Sequence, residues 1–220
     1  MLYVVATPIG NLGDITLRAL EILKDVDLVA AEDTRHSGIL LKRYQIQKPV
    51  ISYHEHNEAM RTAQLIERLA AGEKIALITD AGTPGVSDPG ARLIRECIKR
   101  ELDFTVVPGP SSIPTALVGS GFSCEKFFFG GFLPVKSGQR ERELRAAGER
   151  EETSIYFESP YRLTKTLRAS IDILQNRQFC VARELTKKFE EFRRGTAAEL
   201  LAHYEAHPPK GEIVLLISAL

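Results

Sequence analysis

Three loops hold the residues best suited to gripping a small ligand. They are Thr7-Pro8-Ile9-Gly10-Asn11, Asp80-Ala81-Gly82-Thr83-Pro84-Gly85-Val86-Ser87-Asp88-Pro89-Gly90 and Pro108-Gly109-Pro110-Ser111-Ser112. Each follows an apolar run that reads as a strand, and ligands of open α/β sheets sit beyond the carboxyl ends of the strands. Glycine lets backbone approach a ligand closely, and proline sets the loop shape in advance. Any one of these loops alone reads as a tight turn, but three in one half of the chain point to a ligand site. Asp80 offers a carboxylate that can accept hydrogen bonds from an ammonium group or from ribose hydroxyls. The Gly-x-Gly-x-x-Gly fingerprint and the Gly-x-x-x-x-Gly-Lys-Ser/Thr loop are both absent, so dinucleotide and NTP readings lack their phosphate cradles.

Two further runs concentrate ionisable groups. In Glu32-Asp33-Thr34-Arg35, Thr34 can cap a helix whose N-terminal dipole the two acids favour, which leaves Arg35 without a reason. His54 and His56 point to one side if their segment is extended. A zinc site needs at least a third ligand. Cys97, Cys124, Cys180 and the other histidines are scattered, so no metal is expected.

The elements that must position these groups alternate along the first half. Leu2–Ala6, Asp27–Ala31, Val50–Tyr53, Lys74–Thr79 and Phe104–Val107 read as strands. Helices are expected to start at Asp14, Thr34, Asn57 and Asp88-Pro89 by the rules for caps and N-terminal prolines. Such a βα series favours a largely parallel sheet with helical cover. Beyond Ser111–Gly121 the texture changes, with strands at Phe127–Phe129, Ser154–Phe157, Phe179–Arg183 and Glu212–Ile217 and helices over 138–149, 160–174 and 196–206. Phe189 and Phe192 mark one more possible strand. The expected architecture is therefore α/β in two domains, residues 1–112 and 113–220.

Composition agrees with a folded chain of this kind. With 220 residues, 44% hydrophobic and 26% charged, extended disorder and fibrous structure are excluded. Lys+Arg 29 against Asp+Glu 29 removes any whole-chain attraction to nucleic acid or membrane. An odd number of distant cysteines argues against a disulfide framework and for a reducing compartment. No apolar run is long enough to span a membrane, and the first residues read as a strand rather than a signal peptide, so a cytoplasmic location is expected.

Five runs, in order, resemble one family. Thr7-Pro8-Ile9-Gly10-Asn11-Leu12, Ala31-Glu32-Asp33-Thr34-Arg35, His54-Glu55-His56-Asn57-Glu58, Asp80-Ala81-Gly82-Thr83-Pro84 and Ala182-Arg183-Glu184-Leu185-Thr186-Lys187 closely match the ribosomal small subunit methyltransferase I family. That family lies in the tetrapyrrole methylase superfamily. The resemblance covers essentially the whole chain. It implies 2′-O-methylation of a cytidine in 16S ribosomal RNA, with S-adenosylmethionine held in a cleft between two α/β domains and with homodimers as the usual assembly. Carried over by position, it implies that Pro8, Ile9, Gly10, Asp80, Ala81, Gly82, Thr83, Val86, Ser111, Ser112 and Ile113 border the cofactor. Phe157, Ala182 and Gly211 fall near its adenine. A tetrapyrrole carbon methylase is the alternative, but those enzymes carry a Gly-Gly-Asp-Pro run where this chain reads Asp80-Ala81-Gly82-Thr83-Pro84.

The same resemblance gives the ionisable runs a task. Methyl transfer to a ribose hydroxyl is an in-line displacement in which positioning supplies most of the gain and a base adds about 10²–10⁴-fold. Glu32 or Asp33 is expected to take the proton, Arg35 to hold an RNA phosphate, and His54, His56 or Asn57 to face the substrate, with a plain helix cap as the competing role for Asn57. RNA affinity is dominated by backbone charge, so Lys136–Arg194, with Lys187-Lys188 and Arg193-Arg194, is the expected patch. Longer relatives continue past the last strand. With this sequence ending there, naked RNA is expected to bind less well than the assembled small subunit.

Overall fold

The computed structural model describes residues 1–219, which form two compact units that divide between Ser111 and Ser112. The first unit is built on strands β1 (Leu2–Val5), β2 (Leu28–Ala31), β3 (Val50–Ser52), β4 (Ile75–Ile78) and β5 (Phe104–Val107). They form one sheet in the order β3-β2-β4-β1-β5, and every pairing is parallel. All carboxyl ends therefore share one edge, and the loops singled out above leave from it.

Central strands β2 and β4 are buried at every position, as expected of a parallel sheet covered on both faces. Alternation sorts the side chains. Leu2, Val4, Leu28, Ala30, Ile75 and Leu77 face helices α3 (Glu58–Ala70) and α4 (Ala91–Lys99), through Leu65, Ile66, Leu69, Leu93 and Cys97. Val5, Val29, Ala31, Ala76, Ile78 and Val107 pack with Ala19 and Leu23 of α1 (Leu17–Asp25) and Leu41 of α2 (Thr34–Arg43).

Helix starts differ from the sequence expectation in ways that local hydrogen bonding explains. Asp14 ends a short 3₁₀ turn, Leu12–Asp14, and Thr16 is the residue that caps α1, its hydroxyl accepting from Ala19 N at 3.1 Å. For α2, Asp33 takes the cap and Thr34 is already helical, because a carboxylate two residues before Arg35 N reaches it at 2.8 Å. Asn57 stands at the start of α3, yet its side chain makes no cap bond. Helix α4 begins at Ala91 rather than Asp88, since Gly90 at φ +136° still turns the chain.

The second unit carries a mixed sheet in the order β6-β7-β10-β8-β9. Its strands are β6 (Phe127–Phe132), β7 (Thr153–Glu158), β8 (Phe179–Arg183), β9 (Glu191–Gly195) and β10 (Ile213–Ile217). Only β6 and β7 run parallel. Tyr156, Val181, Ile213, Leu215 and Ile217 face α6 (Ser137–Glu149), α7 (Leu163–Ile173) and α8 (Ala197–Ala206). The opposite face meets α5 (Ser112–Ser120), a helix with no counterpart in the sequence expectation. Gly119 lets α5 close on the sheet, since a Cβ there would stand 2.2 Å from the Phe192 ring. Among the described residues no helix is long and apolar enough to cross a membrane.

Candidate functional site

The carboxyl edge of the first sheet gathers most of the sequence-derived candidates. Thr7 and Gly82 exchange backbone hydrogen bonds of 2.9 and 3.0 Å, tying the loop after β1 to the loop after β4. The Thr7 hydroxyl adds a bond to the Thr79 carbonyl at 2.9 Å. Gly82 adopts φ +79°, and a Cβ at that position would lie 3.6 Å from Ile9 Cγ2 and 4.0 Å from the Pro110 carbonyl oxygen. Loops from β1, β4 and β5 thus meet around a residue that has no side chain, leaving a cradle that a Cβ would fill. Pro8 and Ile9 are buried, Gly10 is exposed, and Ala81, Thr83 and Ser111 are half-buried. Val86 is exposed on a turn whose N–H returns to the Thr83 carbonyl.

Asp80 joins this cradle to the acids after β2. Its Oδ1 accepts from Asp33 N at 3.2 Å, and its own N–H donates to Glu32 Oε2 at 3.3 Å. The two neighbouring acids are driven apart. Burial raises the Glu32 carboxyl above the ordinary 4.5, the nearby carboxylates of Asp80 and Asp33 push the same way, and the Asp80 N–H and His54 oppose them. Asp33 is held far below the usual carboxylate range by the Arg35 guanidinium and backbone N–H. Arg35 Nε and Nη2 bind both Asp33 oxygens, at 3.2 and 2.8 Å, and its side chain is 91% exposed. Glu32 is therefore the acid with the higher proton affinity, and Asp33 is a cap and an anchor for Arg35.

The segment after β3 completes the edge. Tyr53, fully buried, donates its hydroxyl to Glu58 Oε1 at 3.1 Å, and Glu58 Oε1 also accepts from Gly90 N at 3.3 Å. The His54–Glu58 run is so tied to the far end of the Asp80–Gly90 loop. Sequence reasoning missed this link, although Glu58 lay inside a quoted motif and a tyrosine closing a strand was the available signal. His54 is half-buried, and its Nδ1 is buried without a hydrogen-bond partner. His56 is exposed and meets the His54 ring edge-on at 5.9 Å. Among the described residues no group of three or more His, Cys, Asp or Glu could hold a metal.

The remaining candidates belong to the second unit. Ser112 and Ile113 open α5 and are half-buried. Phe157 of β7 and Ala182 of β8 both pair with Val214 of β10, so all three lie in one row on the α5 face. Phe157 packs edge-on against Phe129 and Phe132 at 5.0 and 5.3 Å. Gly211, at φ +84°, precedes β10 and lies under the Glu184 carboxylate, where a Cβ would be 2.2 Å from Oε1.

The expected RNA patch is largely committed to internal contacts. Lys187 bridges Glu184 and Glu212 at 2.9 and 2.8 Å, and Arg193 pairs with Glu191 at 2.8 Å. Arg194 caps α5 through the Gly119 and Ser120 carbonyls. Lys188 is exposed over the Phe189 ring, and Arg142 and Arg145 face solvent on α6.

Comparison with known proteins identifies the family. Residues 1–201 match the model of the Tetrapyrrole (Corrin/Porphyrin) Methylases. Proteins called ribosomal RNA small subunit methyltransferase I are 48% identical in Synechocystis, over 99% of this chain and 78% of theirs, and 51% identical in Mesorhizobium japonicum, over 98% and 74%. The Thermotoga maritima protein of that name is 44% identical over 99% of this chain and 97% of its own. Among solved structures, a uroporphyrin-III-C-methyltransferase from Thermus thermophilus superposes with a TM-score of 0.67 at 20% identity, over 98% of this chain and 93% of that one. A diphthine synthase reaches 0.77 at 15%, over 99% and 89%. At those identities the two structures show the fold alone. The chain is a methyltransferase and belongs to the tetrapyrrole methylase family, among the proteins named ribosomal RNA small subunit methyltransferase I.

Proposed function

We propose that this chain methylates small subunit ribosomal RNA with S-adenosylmethionine, at the ribose 2′-oxygen of a cytidine in 16S RNA. The observation that supports this most is the desolvated Glu32 carboxylate at the edge of the parallel sheet, bonded to Asp80 N and next to the Gly82 cradle. A hydroxyl is a weak nucleophile, so the site needs an acceptor for its proton beside the place where the cofactor lies. The relatives' shared name, at 42–51% identity over nearly the whole chain, supports ribosomal RNA as the substrate over a tetrapyrrole ring.

The residues proposed to hold the cofactor are Pro8, Ile9 and Gly10 after β1, Asp80, Ala81, Gly82, Thr83 and Val86 after β4, and Ser111, Ser112 and Ile113. Phe157, Ala182 and Gly211 are proposed for the adenine side. S-adenosylmethionine supplies a methyl group on a sulfonium, already activated for displacement. With that group bound, Glu32 would accept the hydroxyl proton as the oxygen gained the methyl and the S–CH₃ bond broke, giving a neutral ribose ether, a protonated carboxyl and an uncharged thioether. Arg35, its Nε and one amino group spent on Asp33, offers its remaining donors to a phosphate. His54 and His56 line the substrate side. We further propose that the assembled subunit in the cytoplasm is the substrate and that the chain acts as a homodimer.

The test incubates the protein with methyl-labelled S-adenosylmethionine and either small subunits, free 16S RNA or a precorrin ring. Label in an alkali-resistant ribose of the RNA is expected. Glu32→Gln should lose about 10²–10⁴-fold in turnover while calorimetry shows unchanged cofactor affinity. Label in the ring, or full turnover by Glu32→Gln, would overturn the reading.

A further inference from the structure

Tyr161 is 89% exposed, more than any other large hydrophobic side chain among the described residues, yet the turn that carries it is held fast. Glu158, whose side chain is fully buried at the end of β7, accepts from Ser159 N at 2.7 Å and from the Thr166 hydroxyl at 2.6 Å. Arg162 reaches the same carboxylate at 2.8 Å and donates to the Leu133 carbonyl at 3.1 Å. Tyr161 N donates to the Ser159 hydroxyl at 3.3 Å. A buried carboxylate is costly unless its oxygens are fully partnered. This network fixes the backbone on both sides of a ring that adds nothing to the core. Single exposed aromatics need no cause. One displayed on a braced turn beside a groove does.

The groove lies within the second unit and has a volume of about 670 Å³. Pro160, Tyr161 and Thr164 line it from the start of α7, and Pro208, Pro209 and Lys210 from the α8–β10 connection. Helices α7 and α8 cover the face opposite α5, so the groove lies across the sheet from Phe157 and Ala182. Glu205, also at the groove, is paired with Arg168. That leaves Lys210 as its uncompensated charge, and Lys165, exposed in the first turn of α7, likewise forms no ion pair among the described residues. A planar ring, proline surface, a hydroxyl and a free cation are what an unstacked nucleotide takes: a face for its base, a partner for the base edge and a charge for its phosphate. A proline-rich peptide would use an aromatic-lined groove and no cation. Here one ring is open to solvent, and the Tyr204 hydroxyl is buried.

We propose that this groove is a second RNA site, in which an unpaired nucleotide of small subunit ribosomal RNA stacks its base on Tyr161 and sets its phosphate against Lys210. The proposal rests on the RNA-methylation reading for its ligand. The contact is made equally in the bound and reacting states, so it acts on KM and leaves kcat alone.

The protein has no tryptophan, so Tyr161→Trp introduces a single indole whose emission a stacked base quenches. Titration of that variant with free 16S RNA should quench it. Adding Lys210→Gln should weaken the titration and flatten its log–log salt slope by about 0.7. In the native background, Tyr161→Ala should raise KM for small subunits by about 5- to 150-fold, with kcat, cofactor affinity and melting temperature kept. Tyr161→Phe should behave as wild type, because stacking uses the ring. An unaltered KM in Tyr161→Ala, or emission that RNA leaves unquenched, would overturn the proposal. Emission that ignores RNA but shifts on adding a proline-rich peptide would make the groove a peptide site. Lost cofactor affinity in Tyr161→Ala would assign it to the cofactor through Gly211, and a changed sedimentation mass would make it a contact between copies. Each of these three results refutes the inference. If wild-type protein leaves RNA unlabelled while RNA still quenches Tyr161→Trp, the functional reading falls and the groove stands.

Discussion

Glu32 and Asp33 are adjacent acids that the sequence offers as equals. Burial and one arginine separate them: Glu32 loses water at the sheet edge, and Asp33 turns outward to Arg35. Neither cause is visible in the order of residues, which is why the motif was legible and the difference between its two acids was not. The difference has a measurable sign. If Glu32 is the base proposed above, turnover should fall on the acid side through a value above the ordinary 4.5 of a glutamate, and that limb should vanish in the residual activity of Glu32→Gln. Stability moves the opposite way. An acid whose folded value is raised favours the folded state while it is protonated, and that contribution is lost as pH rises from 4.5 through the folded value. Glu32→Gln should therefore gain stability relative to wild type above that window, measured by thermal melts at pH 4 and pH 7. A melting difference that does not change between those pH values would mean Glu32 is not desolvated.

At the scale of elements, strands with strong β character were legible, and Phe104–Val107 and Phe179–Arg183 fall where the pattern puts them. Helix α5 was not. Its residues, Ser112-Ile-Pro-Thr-Ala-Leu-Val-Gly-Ser120, include a proline and a glycine that read as breakers. Pro114 is tolerated because the first turn needs no N–H from it, and Gly119 is there for the Phe192 ring. The second reason lies outside the helix, on β9. Gly82 makes the corresponding point for the loops, and its substitution can be controlled. Gly82→Ala and Gly72→Ala both force a side chain onto a positive φ, +79° and +90°, and each should cost about 1 kcal/mol of stability. Only at Gly82 does the new Cβ enter the space beside Ile9 and Pro110; at Gly72 nothing lies within 4 Å. Calorimetry should find at least tenfold weaker S-adenosylmethionine binding for Gly82→Ala and none of that loss for Gly72→Ala. Equal affinities would remove the loop from the cofactor site.

For the whole molecule the balance of 29 basic and 29 acidic groups means that RNA affinity must come from a few local charges. The sequence shows an excess of basic residues from Lys136 to Arg194 but not which of them are spent. Arg162 is paired with the buried Glu158, and Arg177 holds the carbonyls of Gly148, Arg150 and Ser218. Lys187, Arg193 and Arg194 are similarly engaged. Taking such groups to a phosphate would break an existing contact, so they belong to the stability of the second unit. Arg142, Arg145 and Lys188 are exposed and form no ion pair among the described residues, leaving them free to release counterions from RNA. Each phosphate neutralised steepens the dependence of log affinity on log salt by about 0.7–0.9. Replacing Arg142, Arg145 and Lys188 together by glutamine should flatten that slope by about 2 and leave the melting temperature within a degree or two of wild type. Lys187→Gln should do the reverse, lowering the melting temperature with little change in slope, because it strands Glu184 and Glu212. Filter binding of small subunits across a salt series, beside thermal melts of the same proteins, reads both quantities. A slope that responds to Lys187 and ignores the other three would put the RNA grip back on the β8–β9 loop.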